Sequence, residues 1–149
     1  MKKMIRLASA LLMTVVLFST TSCDKEDDIK QEPLAVQLLT AKAWQIEEVV
    51  SVEGDNTPHV TYKRGATDNE DDFSLVRQNF KKDGSITYID QEGDSGSNGR
   101  YQLMANNMMR LSVDGLSTIV ENVIIRENSF SYRLVHGEGY TQFTFSPVQ

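Results

Sequence analysis

The chain has 149 residues, of which 21 are acidic and 15 basic, giving a formal net charge of −6. This length suits one domain. A chain this acidic is a poor candidate for binding nucleic acid, because phosphates require neutralisation by lysine and arginine. Its single cysteine, Cys23, excludes an intramolecular disulfide.

The first 22 residues have the pattern of a secretory signal peptide. Three basic residues near the start precede an almost wholly apolar run at residues 7–18, and small residues follow from Ser19 to Ser22. About a dozen apolar residues are too few for a transmembrane helix, which needs roughly 20. We therefore predict that residues 1–22 are a signal peptide.

Cys23 comes directly after this segment. The order Thr20-Thr21-Ser22-Cys23 resembles the lipobox of bacterial lipoproteins. That resemblance implies cleavage before Cys23, a diacylglycerol linked to its sulfur, and a further fatty acid such as palmitate on the new amino group. Two or three acyl chains, at about 0.8 kcal/mol for each buried methylene, hold a protein on a membrane almost permanently.

The next five residues, Asp24-Lys25-Glu26-Asp27-Asp28, form an acidic cluster. It resembles the surface-export signal of Bacteroidota lipoproteins, which implies a place on the outer face of the outer membrane. The alternative is a solvated linker on the periplasmic side, kept extended by charge repulsion. In both interpretations residues 23–33 comprise the lipidated cysteine and an acidic tether.

Residues 34–149 are predicted to be mainly β. Leucines at helical spacing after Pro33 predict a short helix over residues 34–43. Alternating apolar residues and turn signals then predict strands at 44–52, 74–81, 85–90, 101–103, 109–113, 118–126, 130–134 and 141–145. The glycine-rich segment 93–99 is interpreted as a loop.

These strands are joined by connections too short for parallel pairing. An antiparallel meander of this length must close on itself or fold into two layers to protect its edges. We therefore predict an antiparallel up-and-down β-barrel of about eight strands with a short N-terminal helix. A β-sandwich is the alternative.

The predicted helix followed by Ala41-Lys42-Ala43-Trp44 resembles the start of lipocalin-like domains in secreted bacterial lipoproteins. The resemblance covers roughly residues 34–147. It implies that the tryptophan closes the narrow end of the barrel and that an arginine from a late strand packs on it. Trp44 fits the first role, and Arg133 or Arg126 the second.

The sequence contains no motif for a catalytic serine, a zinc protease or a phosphate-binding loop. His59 and His136 are interpreted as surface residues. The acidic segment 68–72 is rich in calcium-type ligands, but it lacks the spacing and glycine of an EF-hand, so a solvated loop is favoured. We expect no enzyme activity, no cofactor and no metal.

Glu48 is the one weak candidate for a ligand-binding residue. In a regular strand it would share the apolar face with Ile46 and Val50, and a buried carboxylate needs a partner. The alternative is a β-bulge at Glu47-Glu48 that turns both side chains to solvent.

The sequence thus predicts a membrane-anchored lipoprotein whose barrel binds a small or apolar ligand without catalysis. The alternative is a surface accessory module, which binds a protein or glycan through its loops and has a filled interior. An open apolar cavity with one or two buried polar groups favours the first function. No particular partner protein is indicated.

Overall fold

The computed structural model describes residues 32–149, so the predicted signal peptide, Cys23 and most of the tether lie outside the described residues. The described chain forms one helix and nine strands: α1 (Leu34–Thr40), β1 (Ala43–Val52), β2 (Pro58–Lys63), β3 (Arg77–Phe80), β4 (Ser85–Ile89), β5 (Ser95–Met104), β6 (Met108–Val113), β7 (Leu116–Ile125), β8 (Phe130–His136) and β9 (Gly139–Pro147).

Eight of these strands close into an antiparallel barrel. From β3 onward each strand pairs with the next in sequence, and β9 returns to pair with β1. β2 is an extra strand beside β1. The predicted up-and-down barrel is therefore confirmed, and the sandwich alternative is wrong.

One edge of β1 is shared between two strands. Residues 43–45 pair with β3, whereas residues 48–52 pair with β2. The opposite edge pairs with β9 along almost its whole length. Hydrogen-bonded strands therefore complete the wall at the start of β1, while β2 and the connection 64–76 complete it near the end of β1.

The two ends of the barrel differ. The β1–β2, β4–β5, β6–β7 and β8–β9 turns lie at one end, which we call the mouth. α1 and the β3–β4, β5–β6 and β7–β8 turns lie at the other, which we call the α1 end. There, Lys42 Nζ donates to the carbonyl of Glu127 at 2.8 Å, and Lys82 Nζ lies 2.6 Å from a carboxylate oxygen of Glu32.

α1 is shorter than predicted, because it ends at Thr40 rather than at residue 43. The chain must leave the helix there since Ala43 pairs with Asn79 in the sheet. Leu39, in the last turn of the helix, is fully buried. The helix therefore covers the α1 end with its last turn.

β5 includes the segment that the sequence analysis assigned to a loop. Gly96 faces Tyr88 on β4, and a Cβ atom at Gly96 would collide with the tyrosine ring. A Cβ atom at Gly99 would lie 2.9 Å from the Cβ of Ile86. These glycines make room for the large side chains of β4. The high glycine content of this segment therefore reflects close packing in a strand and does not indicate turns.

β2 has no counterpart among the predicted strands. It begins at Pro58, its first three residues are exposed, and only Tyr62 is buried. An edge strand of this kind lacks the regular burial that produces an alternating pattern.

Candidate functional site

The half of the barrel near the α1 end is packed with aromatic rings. Phe130 lies at the centre, with ring centroids 5.0 Å from Phe145, 5.5 Å from Phe80 and 5.9 Å from Trp44. Such separations are typical of favourable aromatic pairs. The aromatic cluster itself is closely packed, and a groove of about 360 Å³ lies beside it, between α1 and the ends of β5, β6 and β7.

The half near the mouth contains a cavity of about 310 Å³. Inward-facing residues of six barrel strands and of the connection before β3 line it, together with the β4–β5 turn. The lining residues are Ile46, Phe73, Val76, Gln78, Ile86, Tyr88, Ile89, Asp90, Gln91, Glu92, Leu111, Val113, Tyr132 and Phe143. The volume lies at the lower end of the range of about 300–1,000 Å³ that is usual for small-molecule sites.

Two polar side chains, those of Gln78 and Tyr132, lie at the floor of this cavity. The Tyr132 ring packs 5.6 Å from Phe130 and 5.5 Å from Phe145, so it separates the packed half from the open half. The Oε1 atom of Gln78 is buried and has no hydrogen-bond partner within the described residues. An unpaired buried acceptor costs free energy that a suitable ligand group would recover.

Burial raises the pKa of Tyr132 to about 12, and the neighbouring Gln78 side chain offsets part of that increase. Because an unfolded tyrosine ionises near pH 10, the unfolded chain loses this proton first as pH rises. The stability contributed by neutral Tyr132 is therefore complete below pH 10 and is lost between about pH 10 and 12.

We expect the free energy of unfolding to fall by about 2–3 kcal/mol across that pH window through Tyr132 alone. Tyr132→Phe removes the ionisable group, so the decrease in the free energy of unfolding at alkaline pH should be smaller by about this amount. Urea unfolding at pH 8 and pH 12 measures both values. Tyr140→Phe, on the outer face, is the matched control and should keep the wild-type difference. An equal loss in wild type and Tyr132→Phe would contradict the prediction.

The connection 64–76 completes the cavity wall. Phe73 packs edge-on against Tyr62 and Phe143, with centroids 5.6 Å and 6.1 Å away. Arg64 Nε donates to the carbonyl of Ile46 at 2.8 Å and its Nη1 to the carbonyl of Ser74 at 3.3 Å. The arginine thus joins β1 to this connection and holds Phe73 beside the cavity.

Glu48 does not line the cavity. The pairing of β1 with β9 shifts between Ile46 and Glu48, which confirms the β-bulge alternative. Glu47 accepts a hydrogen bond from Ser146 Oγ at 2.9 Å. The side chain of Glu48 is 34% exposed and lies 3.6 Å from Lys63 Nζ. The regular-strand interpretation is therefore wrong, because the extra residue turns Glu48 away from the apolar face.

Trp44 lies at the α1 end, as the resemblance implies. It is fully buried, and its Nε1 donates to the carbonyl of Leu39 at 2.9 Å. Arg133 is not the residue that packs on it, because its guanidinium lies 4.3 Å from the ring centroid of Tyr140. Tyr132 faces the interior, so its neighbour Arg133 points outward.

The acidic segment 68–72 is held by hydrogen bonds to β2 and within its own connection. Asn69 Oδ1 accepts from the backbone N–H of Lys63 at 2.8 Å. Hydrogen bonds from the hydroxyl and backbone N–H of Ser74 lower the pKa of Asp72. Within residues 32–149, no three His, Cys, Asp or Glu side chains are grouped so that they could hold a metal ion.

Both histidines lie on the surface. His59 Nε2 is 2.6 Å from Glu70 Oε1, and both side chains are more than half exposed. His136 Nε2 is 3.0 Å from Thr141 Oγ1. Neither histidine belongs to the cavity lining.

Gln78, Tyr132 and Phe73 are not among the site residues predicted from the sequence. A signal for Gln78 was present, because Val76, Gln78 and Phe80 alternate and place an amide on an otherwise apolar face. Phe73 had no such signal, since its position depends on the connection that closes the wall.

Among the described residues, no helix has the length and apolarity needed to cross a membrane. No protein-family model matches the chain, and no curated protein is significantly similar to it.

Proposed function

We propose that this protein is a membrane-anchored lipoprotein whose lipocalin-like barrel binds one small, mainly apolar ligand. The observation that carries this proposal is the cavity of about 310 Å³ at the mouth, with Gln78 and Tyr132 at its floor. An eight-stranded barrel is just wide enough to hold one small ligand. The accessory-module alternative requires a completely filled interior, and this cavity does not agree with that requirement.

The residues around the cavity favour binding over catalysis. The lining contains no histidine, cysteine, serine, threonine, lysine or arginine, so the usual nucleophiles and most general bases are missing from it. Its two carboxylates, Asp90 and Glu92, lie in the exposed β4–β5 turn. The remaining polar groups suit orientation of a ligand by hydrogen bonds.

The lipocalin-like assignment is supported by three features together. The fold is a closed eight-stranded meander, a short helix covers one end, and Trp44 is buried beneath that helix. The signal-peptide pattern and the lipobox-like residues before Cys23 support the lipid anchor. The acidic cluster after Cys23 supports a place on the cell surface rather than on the periplasmic face.

The described chain begins at Glu32, which is ion-paired with Lys82 at the α1 end. The segment that leads back to Cys23 is thus joined to the barrel at the end opposite the mouth.

Filling the cavity is expected to abolish ligand binding. Leu111→Trp adds a large ring to the lining, whereas Leu116→Trp makes the same change at a residue that is 80% exposed. The chain from Asp24 to Gln149, purified without denaturation, can be examined by native mass spectrometry for a bound mass. We expect a bound small molecule in wild type and in Leu116→Trp, but not in Leu111→Trp.

Two outcomes would overturn the proposal. One is a wild-type chain that carries no bound mass and acquires none from a lipid extract. The other is a bound mass that persists in Leu111→Trp, since the ligand would then lie outside the barrel. Circular dichroism of both tryptophan variants shows whether the barrel has folded.

A further inference from the structure

The cavity has two chemically different regions. Its floor carries the uncharged polar side chains of Gln78 and Tyr132, whereas Asp90 and Glu92 stand at its entrance. We propose that it selects an uncharged ligand with a hydroxyl-type group that donates a hydrogen bond at the floor, and that it rejects organic acids. This inference rests on the proposed function and specifies the chemical class of the ligand.

The floor of the cavity contains a hydrogen-bond acceptor to which a ligand could donate. Gln78 Oε1 has no partner, and the broad terminal torsion of a glutamine lets its amide turn toward the cavity at little cost. A ligand hydroxyl can donate to this oxygen and accept from the hydroxyl of Tyr132. An alcohol or phenol therefore satisfies both side chains, whereas an ether can only accept.

The floor is also unsuited to a carboxylate. No lysine or arginine lines the cavity, so a carboxylate there would be buried without an opposite charge. Tyr132 and, after rotation of its amide, Gln78 could each donate a hydrogen bond to it, but neither side chain carries the positive charge that a buried carboxylate needs.

The mouth adds repulsion of anions. Each of the five connections that border it contains acidic residues: Glu53 and Asp55, then Asp68, Glu70, Asp71 and Asp72, then Asp90, Glu92 and Asp94, then Asp114, and finally Glu138. Such a ring of like charge lowers the local concentration of anions and slows their entry. The barrel thus disfavours organic acids both on entry and when bound.

The volume limits the ligand to a small molecule. A cavity of about 310 Å³ corresponds to the volume of roughly ten water molecules, at about 30 Å³ each. A ligand with about ten non-hydrogen atoms fits this space. Octan-1-ol, octanoate and heptyl methyl ether have suitable sizes, and the alcohol and the ether have the same number of atoms.

The test compares these three probes on the chain from Asp24 to Gln149, by isothermal titration calorimetry or by shifts of amide signals in NMR spectra. We expect octan-1-ol to bind roughly fivefold to tenfold more tightly than the ether, in line with one extra hydrogen bond. Octanoate at pH 7 should bind most weakly, at least tenfold below the alcohol. In Gln78→Leu, the alcohol should lose its advantage over the ether, while the ether still binds.

The outcomes separate the two proposals. If none of the probes binds and none displaces a co-purified molecule, the proposed function itself fails. If the wild-type chain binds the ether or octanoate as tightly as the alcohol, the ligand function stands and the selectivity is wrong. That comparison needs only the wild-type chain, so it remains decisive even if Gln78→Leu does not fold.

Discussion

Replacement of Trp44 by alanine is expected to lower the free energy of unfolding by about 3–5 kcal/mol, which is the usual cost of deleting a large buried aromatic side chain. Trp44 is fully buried, packs against Phe130, and donates its Nε1–H to the carbonyl of Leu39. Its removal leaves a cavity at the α1 end and an unpaired carbonyl in α1. Since small domains are stable by about 5–15 kcal/mol, this loss is a large fraction of the total.

Urea unfolding monitored by circular dichroism measures the effect. Trp44→Phe keeps an aromatic ring but not the hydrogen bond, so we expect a smaller loss of about 1–3 kcal/mol. Leu116→Ala, at an exposed position, should change stability by less than about 0.5 kcal/mol. If Trp44→Ala were no less stable than Leu116→Ala, the tryptophan would not be the anchor of this end.

Replacement of Cys23 by alanine is expected to abolish lipid attachment completely and, because the lipobox resemblance places cleavage before this cysteine, also to abolish removal of residues 1–22. The proposed anchor consists of two or three acyl chains, each stabilised by about 0.8 kcal/mol for every buried methylene. Without them, an acidic domain gains no electrostatic attraction to anionic lipid. Incorporation of labelled palmitate measures the loss of lipid, and the mass of the chain shows whether residues 1–22 are still attached.

Ser22→Ala is the matched control, because it keeps a small residue before the cysteine and should leave anchoring unchanged. Protease added to intact cells then distinguishes the outer face from the periplasmic face. A Cys23→Ala chain that still incorporated palmitate would show that the lipid is attached to another residue.

The sequence predicts the barrel well because the relevant signals are local. The eight predicted strands correspond to the eight that close the barrel, since their inward faces alternate and their turns carry glycine and asparagine. Asp114 and Gly115 both have positive φ angles, 51° and 80°, as a two-residue hairpin turn requires.

The errors arise where a residue's role depends on a distant side chain. Gly96 belongs to a strand because Tyr88 lies across it, and no periodicity within 93–99 contains that information. Similarly, the outward position of Glu48 follows from one extra residue relative to β9, a partner almost 100 positions away in the chain. The alternation rule assumes regular pairing and fails at a bulge.

The candidate site was even less accessible from sequence. A chain of alternating apolar residues predicts an interior but not whether that interior is filled. The distinction depends on how Phe130, Phe145 and Phe80 pack together at one end while Phe73 stands beside the opening at the other. Packing of this kind is a property of the assembled barrel.

The split edge of β1 has a consequence for how this protein can vary in evolution. Near the α1 end, an insertion would break the ladder between β1 and β3 and would expose the aromatic layer. At the mouth, the wall between β2 and β3 is a connection held by Arg64 rather than by paired strands. Insertions and substitutions in residues 64–76 can therefore reshape the entrance at little cost to the fold. Related chains should differ most in this connection while they retain the same barrel.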